Sequence, residues 1–269
     1  MNPNFITCNS HDAKLWRIIN NSKITWSQKS GNTIDDFVLP KANKIDTKIS
    51  FEYIKKFNDL HSEYLIDLQC LPDQHSFLMV DVCGVSLWDF ERDIPNVPLV
   101  TTSQSDADIT TSATHSTSPF AFLIADDDGN CEIFDIRQQA ENLTPSIKVN
   151  VTNSLKHRGF DGVQSVSSVV FAPDGNSFFA RTFGEVQQWD LRNTSKPSAS
   201  LDVQWFQKQA DWLSNEGNLR DQFRTTVTPD GKVVTGQYMA NFITWDPQQN
   251  KVANYKAYNP KVSKEPPEP

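Results

Sequence analysis

Residues 165–190 contain Val166-Ser-Ser-Val-Val-Phe171, then Ala172-Pro173-Asp174-Gly175, then Ser177-Phe-Phe-Ala180 and, after a short break, Gln187-Gln188-Trp189-Asp190. The first run is rich in β-branched and apolar residues, and a Pro-Asp-Gly corner follows it. Proline presets φ at about −65° and glycine accepts a positive φ, so the chain reverses sharply and the next run returns antiparallel. A second strand over Ser177–Ala180 and a third ending at Trp189 then make a three-stranded meander.

The same pattern recurs along the chain. Aromatic-acidic steps close short apolar-alternating strands at Trp88-Asp89, Phe134-Asp135, Trp189-Asp190 and Trp245-Asp246, and Leu15-Trp16-Arg17 is a fifth with Arg in the acidic place. Asp73, Asp174 and Asp230 each stand 15 residues before their aromatic, and Pro119 stands 15 before Phe134. Each turn and each aromatic keeps its distance independently, so the spacing marks an internal repeat. With a fourth strand in each linker, every repeat completes a blade of the WD-repeat kind. The expected fold is therefore all-β, a WD-repeat β-propeller with about five recognisable blades. A partial first blade falls on residues 1–19, and the others around 64–90, 117–137, 163–192 and 222–247. Together they form one domain over 1–258, followed by a disordered tail at 259–269.

Successive aromatic markers lie 72, 46, 55 and 56 residues apart, against about 40–45 for a standard WD repeat. The linkers thus carry insertions. Asn20–Leu39 and Thr101–Ser118 are expected as mobile loops, and Val203–Leu213 as a strand followed by a short amphipathic helix. The blade count leaves two arrangements open. Either a small five-bladed ring closes through a C-terminal strand at Lys251–Tyr258, or the chain is a truncated piece of a larger ring.

Composition agrees with a β-rich chain. Of 269 residues 38% are apolar and 11% aromatic, enough to fill a core, and Asp outnumbers Glu 24 to 9. Asp favours turns and caps where Glu favours helices. The formal charge of −8 speaks against non-specific nucleic-acid binding and for a basic or amphipathic partner. No apolar run reaches the roughly 18–20 residues that span a bilayer, and no secretion signal opens the chain. The reading is a soluble, cytoplasmic protein, with the nucleus also open to it, and with no nucleic-acid or membrane partner. Cys8, Cys70, Cys83 and Cys131 form no C-x-x-C pair and are expected as reduced thiols buried in strands.

No catalytic or cofactor constellation stands out. The five histidines are isolated, with no metal-ligand spacing, and neither a G-x-S-x-G elbow nor a phosphate-cradling glycine loop is present. The expectation is a non-enzyme without cofactor or metal. Asp126-Asp127-Asp128-Gly129-Asn130 invites a calcium-loop reading, but its acids, glycine and distal Glu do not line up with an EF-hand, and an exposed hairpin turn fits better.

Several segments resemble the 55 kDa class of regulatory B subunits of protein phosphatase 2A, a seven-bladed WD-repeat family. The resemblance rests on Ser165–Phe171, Phe179-Ala-Arg-Thr-Phe183, Val186-Gln-Gln-Trp-Asp-Leu191, Lys196–Ser200, Leu219–Phe223 and Val234–Asp246. The Arg181 position, the Asp221-x-Phe223 pair and the Thr235-Gly-x-Tyr238 motif are peculiar to that family. The match runs roughly from the family's second blade to its sixth. It implies a regulatory subunit that docks on phosphatase scaffold and catalytic subunits and selects phosphoprotein substrates with basic segments through an acidic face. The family's acidic pair falls on Asp81-Val82, leaving one carboxylate. Its next substrate-contacting loop falls on Thr102–Ile109, where Ser105 and Asp108 replace apolar residues. Its scaffold-gripping hairpin falls within Asn20–Leu39, shorter here, and its first and seventh blades have no counterpart.

The candidate protein-binding residues are therefore Asp81, Asp126, Asp127, Asp128, Arg181 and Tyr238. Asp81 is either a contact to a basic substrate or a turn aspartate holding backbone amides. Asp126–Asp128 lie where the family is not acidic and restore negative charge nearby. Arg181 pairs either with a partner's carboxylate or with an acid of a neighbouring blade. Trp205, Phe206 and Trp212 form either core or a partner patch. The alternative to a phosphatase subunit is a WD-repeat interaction scaffold without phosphatase binding, or a non-functional fragment.

Overall fold

The computed structural model describes residues 4–10, 12–26, 42–58, 64–92, 97–101, 107–138, 143–151, 165–202, 223–237 and 241–257. Among them are strands and turns, and no helix long and apolar enough to cross a membrane. The chain divides into two compact units, Met1–Ser62 and Glu63–Pro269.

The first unit is a three-stranded antiparallel sheet of β1 (Asn4–Cys8), β2 (Asp12–Trp26) and β3 (Ala42–Asn58), in that order. β2 and β3 pair from Asp12 opposite Asn58 out to Trp26 opposite Ala42. β2 thus continues through Asn20–Trp26, which the spacing assigned to a loop, and the sheet extends well past residue 19. Alternation in Lys23-Ile-Thr-Trp26 and Lys44-Ile-Asp-Thr-Lys-Ile49 suits a strand pair. Residues 27–41 lie outside the described residues. Across one face, Trp16 meets Phe5 and Tyr53 at ring-centroid distances of 6.4 and 5.6 Å. The Trp16 Nε1–H donates to Thr7 Oγ1 at 3.0 Å.

The second unit repeats one motif four times. Its first sheet is β4 (Leu65–Cys70), β5 (Ser76–Asp81), β6 (Gly84–Asp89) and β7 (Val97–Thr101). The second is β8 (Ile109–Thr114), β9 (Ala121–Asp126), β10 (Asn130–Asp135) and β11 (Ile147–Asn150). The third is β12 (Val166–Phe171), β13 (Ser177–Thr182), β14 (Glu185–Asp190) and β15 (Ala199–Asp202). The fourth is β16 (Thr225–Val227), β17 (Val233–Gln237), β18 (Asn241–Asp246) and β19 (Lys251–Lys256). In every sheet the strands lie side by side in chain order and antiparallel. The leading strands β4, β8, β12 and β16 are successive neighbours. This is the blade pattern of a WD-repeat β-propeller.

The corners between first and second strands obey the turn chemistry. Gly175 and Gly231 take φ of 70° and 82°, and the backbone N–H of each closes the corner on Ala172 and Thr228. In the first sheet Gln74 holds the same place at φ 60°, where a side chain costs conformational energy.

Among the described residues, three cores lie between consecutive sheets of the second unit. Leu78, Val80 and Val85 of the first meet Phe122, Ile124 and Phe134 of the second. Leu123, Ala125 and Ile133 meet Val169, Phe178 and Trp189 of the third. Phe179 and Val186 meet Val233 and Trp245 of the fourth. Neighbouring residues of β9 therefore serve opposite cores, which is why Ala121-Phe-Leu-Ile-Ala125 is continuously apolar rather than alternating. In the second unit the aromatic of each aromatic-acidic step is buried, while the acid caps the loop beyond it. Asp89 Oδ1 accepts the Glu91 N–H at 2.7 Å, and Asp246 Oδ1 accepts those of Gln248 and Gln249 at 3.0 Å.

Polar bonds join the leading strands. Thr110 Oγ1–H donates to the Val166 carbonyl at 2.5 Å, and Ser167 Oγ–H to that of Phe223 at 3.2 Å. Arg224, just before β16, donates from Nη1 to Thr111 Oγ1 at 3.1 Å and stands 3.8 Å from Asp67 Oδ2 on β4. The same Asp67 oxygen accepts the Ser112 N–H and Oγ–H at 3.2 and 3.0 Å. The fourth sheet is thus tied to the first and second.

The cysteines depart from expectation. Cys131 is buried, but Cys8, Cys70 and Cys83 are exposed. Cys83 occupies the two-residue turn between β5 and β6, and Cys8 and Cys70 close their strands, so none of the three points into a packed interior. Burial pushes the Cys131 thiol far above its ordinary range, and the charges of Asp126 and Glu132 add to this.

Candidate functional site

The topology brings the described sequence-selected residues to similar places in three successive sheets. Asp81 ends β5, Asp126 ends β9 with Asp127 and Asp128 in the turn after it, and Arg181 is next to last in β13. Tyr238 falls between β17 and β18 and lies outside the described residues, as do Trp205, Phe206 and Trp212. Asp81, Asp126–Asp128 and Arg181 belong to the junctions of the second and third strands of their sheets. The starts of the leading strands share this end of the unit. The Ile109 N–H donates to the Val82 carbonyl of the preceding sheet at 2.9 Å, which ties the two sheets together there.

Asp81 is only 5% exposed, and its Oδ1 accepts the Cys83 N–H at 2.7 Å. With two residues between β5 and β6, this bond shapes the tight turn. Asp126 closes its own turn more completely. Its two oxygens accept the Asn130 backbone N–H at 2.7 Å and side-chain amide N–H at 2.8 Å, and Gly129 supplies a φ of 84° between them. Burial is the largest influence on the Asp126 carboxyl and pushes it above the usual carboxylate range. The Asn130 bonds oppose that shift, and the charges of Asp128 and Glu132 add to it.

Asp127 and Asp128 are the exposed members. Asp127 Oδ1 accepts the Asp108 N–H at 2.9 Å, and the Asp127 N–H donates to the Asp108 carbonyl at 3.0 Å. The pair locks the start of β8 to the β9–β10 turn and leaves the exposed carboxylates of Asp108, Asp127 and Asp128 on one edge. In sequence Asp108 registers only as a departure within a loop. Its junction with Asp127, 19 residues on, is created by strand pairing and has no local signal. Beside this edge Lys148 pairs with Glu132 at 2.6 Å, and the Asn150 amide donates to the Asp128 carbonyl at 3.2 Å.

Arg181 has a different character. It is 2% exposed, and its guanidinium carbon lies 5.9 Å from the centroid of the Phe223 ring. The side chain is turned inward onto the segment that leads into β16. Gly236 on β17 makes room for the same ring, since a Cβ there would stand 3.1 Å from Phe223 Cδ1. Chemically, then, the exposed carboxylates of Asp108, Asp127 and Asp128 can attract a cationic segment, while Arg181 is engaged with Phe223.

No family model matches the chain. Among curated proteins it is 24% identical over 262 residues to the Caenorhabditis elegans serine/threonine-protein phosphatase 2A regulatory subunit sur-6, covering 87% of this chain and 52% of that one. It is 20% identical over 270 residues to the Drosophila melanogaster protein phosphatase PP2A 55 kDa regulatory subunit, covering 94% and 54%. A rice 55 kDa regulatory subunit, the B beta isoform, is 22% identical over 192 residues, covering 68% and 36%. The chain spans about half the length of the first two relatives. Among solved structures, a chain of the COPII outer coat vertex on membranes superposes with a TM-score of 0.61 at 13% identity, covering 93% of this chain and 57% of that one. That likeness concerns the fold alone.

Proposed function

We propose that this chain, a divergent relative of the 55 kDa-class regulatory B subunits of protein phosphatase 2A, is a regulatory, substrate-selecting subunit of a serine/threonine phosphatase assembly. It binds scaffold and catalytic subunits and holds phosphoproteins with basic segments beside another chain's active site. Its own contribution is effective concentration and orientation rather than chemistry. The observation that carries this reading is the match to regulatory subunits over nearly the whole of this chain.

The geometry supports the substrate-selecting part through the exposed edge of Asp108, Asp127 and Asp128. A basic segment would be drawn to it electrostatically, mainly through a faster encounter. Asp81 and Asp126 act in this reading through the turns they shape. Arg181 packs against Phe223, and Tyr238 lies in sequence between β17 and β18, outside the described residues. The β2–β3 hairpin is the element within which the family's scaffold-gripping hairpin falls, and it is assigned the scaffold contact.

Affinity capture of the tagged full-length chain from its own cells tests the assembly. Scaffold and catalytic phosphatase subunits are expected at stoichiometric levels. Recovery of a folded chain without them overturns the phosphatase reading in favour of a WD-repeat scaffold of another kind.

A further inference from the structure

The turn between β14 and β15 carries residues that the regulatory reading does not use. Of the chain's arginines, only Arg192 has a hydroxyl residue three places on, Ser195, and Lys196 follows directly. Ser195 and Lys196 are exposed, and the Arg192 side chain is 78% exposed. The turn is anchored at its ends, where the Leu191 N–H donates to the Asn176 carbonyl at 3.0 Å and the Ser198 N–H to that of Gln188 at 2.8 Å. Between these anchors the Ser195 hydroxyl donates to the exposed side chain of Asn193 at 2.8 Å, and its N–H approaches the same oxygen at 3.4 Å. The segment around Ser195 can therefore lift out without breaking a bond of the β14–β15 ladder.

Other hydroxyls of the turns are held differently. The Ser116 hydroxyl donates to the Ala172 carbonyl at 2.8 Å, and Thr117 Oγ1 lies 3.4 Å from His115 Nδ1. Ser76 is bound to Asp73, and Thr228 to Asp230, inside tight corners. Arg192 is held by Asp190 through Nε at 3.0 Å and Nη2 at 2.8 Å. That ion pair is exposed, so a competing acid displaces it readily.

We propose that Ser195 is a phosphorylation site for a basophilic protein kinase, one whose substrate groove places an acid against an arginine three residues before the serine. Kinases discriminate substrates by such charge patterns. In the transfer, Ser195 Oγ bonds to the γ-phosphorus of a nucleoside triphosphate. The bond from that phosphorus to the β,γ-bridging oxygen breaks, a nucleoside diphosphate leaves, and the hydroxyl proton passes to the kinase's base. The product carries about −1.5 to −2 charges next to Lys196 and competes with Asp190 for Arg192.

The test uses the full-length chain, a kinase selective for arginine three residues before serine, and ATP, with site mapping by mass spectrometry. One phosphate on Ser195 is expected. Ser195→Ala should lose it, Arg192→Gln should slow it about tenfold by removing the charge the groove reads, and Asp190→Asn, which frees Arg192, should accelerate it. Ser195→Ala should melt like the parent, and Arg192→Gln, which gives up only the exposed pair with Asp190, should melt slightly lower. Protein isolated from its own cells should carry the same phosphopeptide. Labelling that persists in Ser195→Ala, an Arg192→Gln rate equal to the parent's, or uniformly unmodified Ser195 in cells each overturns the assignment.

Discussion

Gln74 occupies a corner where the two homologous corners use Gly175 and Gly231, and all three have positive φ. Glycine reaches that region freely, whereas a side chain there is strained. Gln74→Gly should therefore stabilise the protein by about 0.5–1 kcal/mol, read as a shift of the urea midpoint at unchanged slope. Gly175→Ala should do the reverse, because its Cβ would stand 2.5 Å from His115 Cε1. The acid of the third aromatic-acidic step makes a second residue-scale case. Hydrogen bonding from the Arg192 side chain holds the Asp190 carboxyl down to about 2. A depressed carboxylate adds stability above its unfolded value and loses it as pH falls through the folded value, so this contribution disappears between about pH 4 and pH 2. In Arg192→Gln the Asp190 titration, followed by carboxyl-carbon NMR, should move up toward the ordinary aspartate value of about 3.9. An unmoved midpoint would mean that Arg192 is not the cause. Both features were half legible in the chain. The Pro-Asp corner announced a turn, but the φ that Gln74 must adopt is dictated by pairing the strands on either side.

At the scale of elements, the spacing of 15 residues between turn and aromatic corresponds to one strand, one hairpin and the next strand of a sheet. The spacing was readable because the corner chemistry and the buried aromatic are local. Strand β9 was less so. Its residues Phe122 and Leu123 serve different cores, so its pattern is apolar throughout and says nothing by itself about which sheet covers which face. Ties between leading strands were equally silent in sequence. Arg224 and Asp67 are far apart in the chain yet stand 3.8 Å apart. A double-mutant cycle of Asp67→Asn and Arg224→Gln should give a coupling of about 0.5–1 kcal/mol that shrinks as salt rises. Purely additive losses would mean that the fourth sheet gains nothing from this pair.

For the whole molecule, the relevant quantity is charge and where the fold displays it. A formal charge of −8 announces a preference for cationic partners but does not locate it. Reversing Asp127 and Asp128 to Lys leaves the turn-closing bonds of Asp126 in place. It should weaken binding of a basic phosphopeptide about tenfold, with a flatter salt dependence, while the melting temperature falls only slightly through loss of the single Asp127 Oδ1–Asp108 N–H bond. Parent-like affinity and salt dependence would remove the acidic edge from the substrate reading. The sequence by itself determined the repeat, the all-β class, the corner positions and the resemblance to a family, because these rest on spacing and on turn chemistry between near neighbours. Only the tertiary structure decided which acids face outward. Asp81 and Asp126 are drawn into their own turns, Asp127 joins Asp108 across a strand pair, and Arg181 folds inward onto Phe223. Burial and hydrogen-bond partners are properties of residues that meet only after the sheets form, so a carboxylate that closes a turn and one that meets a partner look alike until then.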